Sequence, residues 1–197
     1  MPRRNVSDRV QTGPHHVYNR ARCGRAVFRD DADRELFIEL LESRLGRAKF
    51  RSRRFRHAAA VLDAEVCAMC LMTTHFHLII WQHESEALRR LMQSVMIAYV
   101  RSYNRKYGTS GALFAGPFRA RQLIGRKDLR WTTAYVHANH PEGPNYRFST
   151  HRAYLDDLDR PGWLNTTLAL DAFGGRTAYA TFMRDHATRA ELNARFF

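Results

Sequence analysis

A chain of 197 residues with 45% hydrophobic content can bury one ordinary core, which excludes wholesale disorder. Its formal net charge is +13, and of its 32 basic residues only Lys49, Lys106 and Lys127 are lysines, the other 29 being arginines. An excess of that size favours a polyanionic partner, and arginine, which binds phosphate bidentately and stacks on bases, suits nucleic acid. A compositional bias toward arginine would enrich it too, but would not remove the excess. Three cysteines, Cys23, Cys67 and Cys70, make no disulfide framework, and their odd number points to a reducing compartment. The opening MPRRNVSDRVQTGPHH lacks the apolar core of a secretory signal. No apolar run approaches the roughly 20 residues of a membrane span. The expectation is a soluble cytoplasmic protein with no membrane partner.

In chain order, an extended segment begins at His16 to Asn19. Asp30 or Asp31 then caps a helix whose apolar positions Leu36, Phe37, Leu40, Leu41 and Leu45 follow helical spacing. A basic stretch with Arg47, Lys49, Arg51, Arg53, Arg54 and Arg56 follows. Residues 58–70 and 76–81 read as two strands joined near Met72-Thr73-Thr74. Ser85 is the expected cap of a long helix with Leu88, Leu91, Met92, Val95, Tyr99 and Tyr103 as its buried stripe, running to about Tyr107. Phe118 to Ile124 reads as a fourth strand with Arg119 and Arg121 on one face. Asp128 is expected to cap a third helix that carries Tyr135 and ends before Pro141. This order predicts an α+β fold, an antiparallel sheet with helices packed on one face. Residues 1–144 are the expected catalytic domain. Residues 145–197 are an extension, irregular apart from a final helix around Tyr179 to Leu192.

Two strings carry chemistry. In Thr74-His75-Phe76-His77-Leu78-Ile79-Ile80 the histidines stand at i and i+2, so on a strand they share one face while Phe76 points to the other. Such a pair can give two imidazole nitrogens to one divalent ion, although the pattern alone is weakly specific. In Ala134-Tyr135-Val136-His137-Ala138-Asn139-His140-Pro141, Tyr135 and Asn139 share a helix face at i and i+4. Spacing alone favours a packing aromatic and a helix-end polar group there.

The two strings, with the long helix between them and Gly116-Pro117-Phe118-Arg119 ahead of the second, resemble the IS200-like single-tyrosine HUH transposases. Within these the chain is similar to the REP-associated tyrosine transposases, over about His16 to Tyr154. The resemblance implies a ferredoxin-like core and cleavage of single-stranded DNA at hairpin-marked sites through a covalent 5′-phosphotyrosine. It implies metal ligands at His75, His77 and Asn139 and a nucleophile at Tyr135. The chain departs from the family pattern at Thr74, Pro117 and His137, where family members often have Asn, Arg and a second aromatic.

The chemistry so implied is coherent. A phenol of pKa about 10 is roughly 0.1% ionised at neutral pH, so Tyr135 needs help. Mg²⁺ or Mn²⁺ on a non-bridging phosphate oxygen would polarise phosphorus and neutralise developing charge. Phosphate contacts are expected from Arg51, Arg53, Arg54, Arg119 and Arg121, and stacking platforms from Phe114, Phe118 and Trp131. The resemblance implies single-stranded or hairpin DNA as the partner, with a monomer or a homodimer both expected forms. An HUH replication-initiation nuclease is a rival enzyme reading. A non-catalytic hairpin-binding protein is another rival, and so is a zinc-stabilised module built on Cys67, Cys70, His75 and His77. Cysteines three apart on a strand face opposite sides, so two core cysteines are the simpler reading. Tyr99, Tyr103 and Tyr107 read as a packed helix face rather than a second nucleophile set.

Overall fold

The computed structural model of the chain describes residues 11–45, 62–140 and 145–186. Four strands, β1 (Gly13–Arg20), β2 (Ala64–Met72), β3 (His75–Gln82) and β4 (Arg119–Gln122), form one antiparallel sheet in the order β2-β3-β1-β4. Helix α1 (Asp31–Arg44) connects β1 to β2, and α2 (Ala87–Tyr107) connects β3 to β4. This is the split βαβ arrangement of a ferredoxin-like α+β fold. The basic stretch containing Arg51, Arg53 and Arg54 lies outside the described residues. Among the described residues no helix is long and apolar enough to cross a membrane.

The strand alternation decides which helix meets which face. Phe76, fully buried, packs its ring 5.1 Å from Phe37 of α1, and Phe37 in turn meets Tyr99 of α2 at 5.4 Å. Burying each such side chain contributes roughly 1.5–3 kcal/mol. Tyr99 and Tyr103 are buried and donate to the Val27 and Ala26 carbonyls, while Tyr107 reaches the Asp33 carboxylate. The packed tyrosine face is therefore as expected. Lys106 pairs with Asp30 and Asp33, tying the end of α2 to the start of α1.

The helices are divided between the two faces instead of sharing one. Helix α3 (Gly125–Ala138) lies on the side of His77, opposite α1 and α2, with Tyr135 against the His77 ring at 5.2 Å. The match is polar: α3 lays Tyr135 against His16 and His77 and gives the Thr132 hydroxyl to Arg121, so polar groups of this face find partners under the helix.

Two helix starts differ from their expected form, and a third is as expected. Asp30 caps α1, accepting from the Asp33 N–H. Helix α2, by contrast, is not capped by Ser85. It begins after Glu86 in a left-handed conformation (φ 71°), and the Gln82 side chain accepts from the Leu88 N–H at 3.0 Å. Helix α3 starts at Gly125, three residues before Asp128, whose carboxylate reaches back to the Ile124 N–H at 3.0 Å. Gly108, at φ 61°, ends α2 in the left-handed region that glycine enters without strain.

The extension is more ordered than its sequence suggests, with α4 (His151–Leu155), α5 (Thr167–Phe173) and α6 (Arg176–His186). It covers the free edge of β2. Leu71 N–H donates to Phe148 O, Thr150 N–H to Met69 O and Asn165 N–H to Val66 O. The Tyr146 and Tyr154 hydroxyls donate to the Leu71 and Cys67 carbonyls. An edge strand so covered offers no ladder to a second chain. Beneath lies a buried polar knot. The Tyr179 hydroxyl of α6 sits 2.7 Å from His137 Nδ1 and 2.5 Å from His151 Nδ1, while His137 Nε2 meets Thr150 Oγ1 at 2.9 Å.

Burial holds both imidazoles of the knot neutral, pushing His151 down to about 4. The unfolded chain protonates His151 near 6.5, so between these values the unfolded state carries more protons. Stability from this group is intact above pH 6.5 and falls as pH drops toward 4, by up to about 1.4 kcal/mol per pH unit. Urea midpoints measured from pH 7 to 4.5 should decline with that sign, and His151→Gln should flatten the decline. Tyr179→Phe, which leaves two buried imidazoles short of a partner, should cost about 1–3 kcal/mol at pH 7.

Candidate active site

Residues paired in an antiparallel ladder project to the same side of the sheet. The face under α3 therefore reads as three rows across the strands. Met72, His75 and Arg20 form the first; Cys70, His77, Tyr18 and Arg119 the second; Ala68, Ile79, His16 and Arg121 the third. His75 and His77 do share this face, with ring centroids 5.3 Å apart and planes at 89°, and Phe76 lies in the core on the other side.

Each ring of the pair is held through Nδ1. His75 Nδ1 is 2.9 Å from Thr74 Oγ1, and His77 Nδ1 is 2.9 Å from His16 Nε2. That leaves Nε2 of His77 as the nitrogen it could offer a metal. Burial keeps His77 well below the ordinary histidine range, with His16 and His75 pushing the same way. His16 is lowered to about 3, chiefly by burial and then by the Arg121 charge. Between two neutral imidazoles one nitrogen donates and the other accepts, and His77 offers a lone pair at Nε2 when its Nδ1 carries the proton shared with His16.

Tyr135 is buried over this pair, its ring edge-on to His77 at 5.2 Å and to His16 at 5.9 Å. Helix α3 starts beside β4, where Asp128 pairs with Arg121, and runs toward the β2–β3 turn. At that end His140 stacks on Tyr146, whose hydroxyl is bonded to Leu71 O. Asn139, one turn past Tyr135, is thus carried toward the end of the sheet where His75 stands. It is buried, and its side-chain nitrogen has no partner among the described residues. Two imidazoles fixed by second bonds are the kind of ligand a divalent ion takes, and on Asn139 the atom that could join them is the amide oxygen, the unpartnered nitrogen being only a donor.

Other expected site residues fare differently. Arg119 is exposed in the second row. Arg121 is engaged within the chain, bonded to both Asp128 oxygens at 2.8 and 3.0 Å and to Thr132. Phe114 and Phe118 are buried and Trp131 packs on Phe182 at 4.9 Å, so these three do not form open stacking platforms. Cys67 and Cys70 are both buried, and burial pushes the Cys70 thiol up to about 12. Among the described residues no three His, Cys, Asp or Glu side chains gather as a metal cluster, so the proposed zinc tetrad does not assemble.

Sequence reading missed His16 and Tyr18. They alternate on β1 as His75 and His77 do on β3, and the Tyr18 ring stacks on both His16 (5.0 Å) and His77 (5.7 Å). Replacing His16 by Phe keeps a ring but leaves His77 Nδ1 unpaired in a buried site. Chemical unfolding should show a loss of about 1–3 kcal/mol, against a near-neutral change for exposed Arg101→Gln.

No family model matches the chain, and no curated protein matches it. Among solved structures it is similar to that of a REP-associated tyrosine transposase bound to a REP hairpin, with a TM-score of 0.50 and 17% sequence identity. The match covers 85% of this chain and 93% of that one, and what it shows is a shared fold.

Proposed function

We propose that this chain is a metal-dependent single-stranded DNA endonuclease and strand transferase of the tyrosine transposase type, acting in the cytoplasm at hairpin-marked sites. The observation that carries the proposal is the seating of Tyr135 against His77, with His75 beside His77 on the same sheet face and His16 behind it. The likeness to a transposase bound to a REP hairpin supports a DNA partner.

His75, His77 and Asn139 would hold Mg²⁺ or Mn²⁺, which when bound would neutralise charge on the phosphate under attack. Tyr135 supplies the oxygen that bonds to phosphorus, and the 3′ oxygen of the cut strand leaves as a hydroxyl. The phenolic proton passes to solvent, and solvent returns one proton to the leaving 3′ oxygen, so the step is neutral overall. The 5′ end stays on Tyr135 as a phosphodiester of similar energy, so a 3′ hydroxyl of another strand can reverse the step without a nucleotide cofactor. His16 orients His77, and Tyr18 backs it.

The burial of Tyr135 favours one alternative, a protein that binds hairpins without cutting them. A labelled hairpin-bearing single strand incubated with protein and Mn²⁺ separates the two. The wild type should form a covalent adduct and Tyr135→Phe none, while Tyr99→Phe, Tyr103→Phe and Tyr107→Phe keep it. His75→Ala or chelation should abolish the adduct and spare most DNA binding, because arginine–phosphate contacts carry much of the affinity. Loss of the adduct in Tyr18→Phe with its retention in Tyr135→Phe would move the nucleophile to β1. Binding without any adduct in the wild type would leave the hairpin-binding reading.

A further inference from the structure

The first two rows of the histidine face end in arginines. Arg20 is the ladder partner of His75, and Arg119 is the partner of Tyr18, itself the partner of His77. Both arginines are exposed, and neither side chain has an acidic partner among the described residues. Their neighbour in the third row behaves oppositely, since Arg121 is neutralised by Asp128. The positive charge left on this face is therefore concentrated at one end, beside His75 and away from the start of α3. Arg20 and Arg119 are diagonal neighbours on adjacent antiparallel strands, about 7–8 Å apart at Cα, within reach of adjacent phosphates of an extended strand. Ladder partners such as Arg20 and His75 have Cβ atoms roughly 4.5–5.5 Å apart, so a guanidinium on Arg20 can reach a phosphate lying at the histidine pair.

We infer that Arg20 and Arg119 bind adjacent phosphates of a single DNA strand laid across this end of the face, Arg20 holding the one nearest His75. This rests on the function proposed above for the site's substrate, and it names the residues that bring the strand to it. Arg20 is a binding residue, and its guanidinium also neutralises the phosphate at which Tyr135 would act. The rigid ladder makes the placement inexpensive in entropy, because both cations stand on paired strands and not on loops.

The test is equilibrium binding of a fluorescent oligo-dT to full-length protein across a salt series, read by anisotropy. Arg20→Gln and Arg119→Gln should each weaken binding by roughly tenfold, as for loss of a charge-assisted hydrogen bond. Each should also flatten the log–log salt slope by about 0.7, the value for one phosphate on a single strand. Arg101→Gln, on α2 across the sheet, should change neither. Arg20→Lys, which keeps the charge, should restore the slope while recovering only part of the affinity. Unchanged affinity and slope in Arg20→Gln and Arg119→Gln would overturn the inference, as would an equal effect of Arg101→Gln or a wild type that does not bind the oligonucleotide. Slopes that change as stated in a protein giving no covalent adduct would sustain this inference and sink the nuclease. An adduct formed equally well by Arg20→Gln, with unaltered binding, would do the reverse.

Discussion

The register between β1 and β3 governs the site. His77 stands opposite Tyr18 and His75 opposite Arg20, so four polar side chains from segments more than fifty residues apart meet on one face. Side-chain direction has a period of two, and a slip of one residue would send the histidines into the space now filled by Phe37 and Tyr99 while turning Phe76 toward α3. The apolar cluster around Phe76 therefore does more than stabilise the fold. By penalising every other register, it sets which residues can converge.

A face with two rows of imidazoles and phenols is costly to cover, because each buried polar atom needs a partner. The structure meets this by giving each ring a close partner: His16 to His77 and His75 to the Thr74 hydroxyl on this face, and His137 and His151 to a single Tyr179 hydroxyl under the extension. The lowered proton affinity of His16, His77, His137 and His151 follows from their burial, since a charge there would lack solvation. Neutral imidazole is also the form that can coordinate a metal. Structural economy and chemical readiness thus coincide on this face. Asn139, whose amide nitrogen lacks a partner among the described residues, is an exception, as is Arg130 Nε on the same helix.

Local patterns were legible where a period or a cap determines the outcome. The His75–Phe76–His77 alternation, the α2 stripe and the Asp30 cap all follow from spacing along one element. What was not legible depends on pairings between distant segments. His16 becomes significant only through a bond to a residue 61 positions away. Arg121 looks like a phosphate ligand in the sequence, and only the packing of α3 on β4 shows that Asp128 holds it. Gln82 displaces Ser85 at the start of α2 because its side chain, buried at a strand end, reaches the Leu88 N–H first. The extension read as irregular because its order comes from β2's edge, a template supplied by residues eighty or more positions earlier.

That dependence has a consequence for how the protein is made. The sheet, α1 and α2 are complete once Gln122 has been synthesised, yet the helix bearing Tyr135 is fastened through His137 to a hydroxyl that arrives with Tyr179. During translation the histidine-bearing side of the nascent chain stays unfinished for more than forty further residues. A message truncated before α6 yields a well-formed sheet with a loosely seated tyrosine helix. The side of the sheet that carries His75 and His77 is thereby the last part of the fold to be closed.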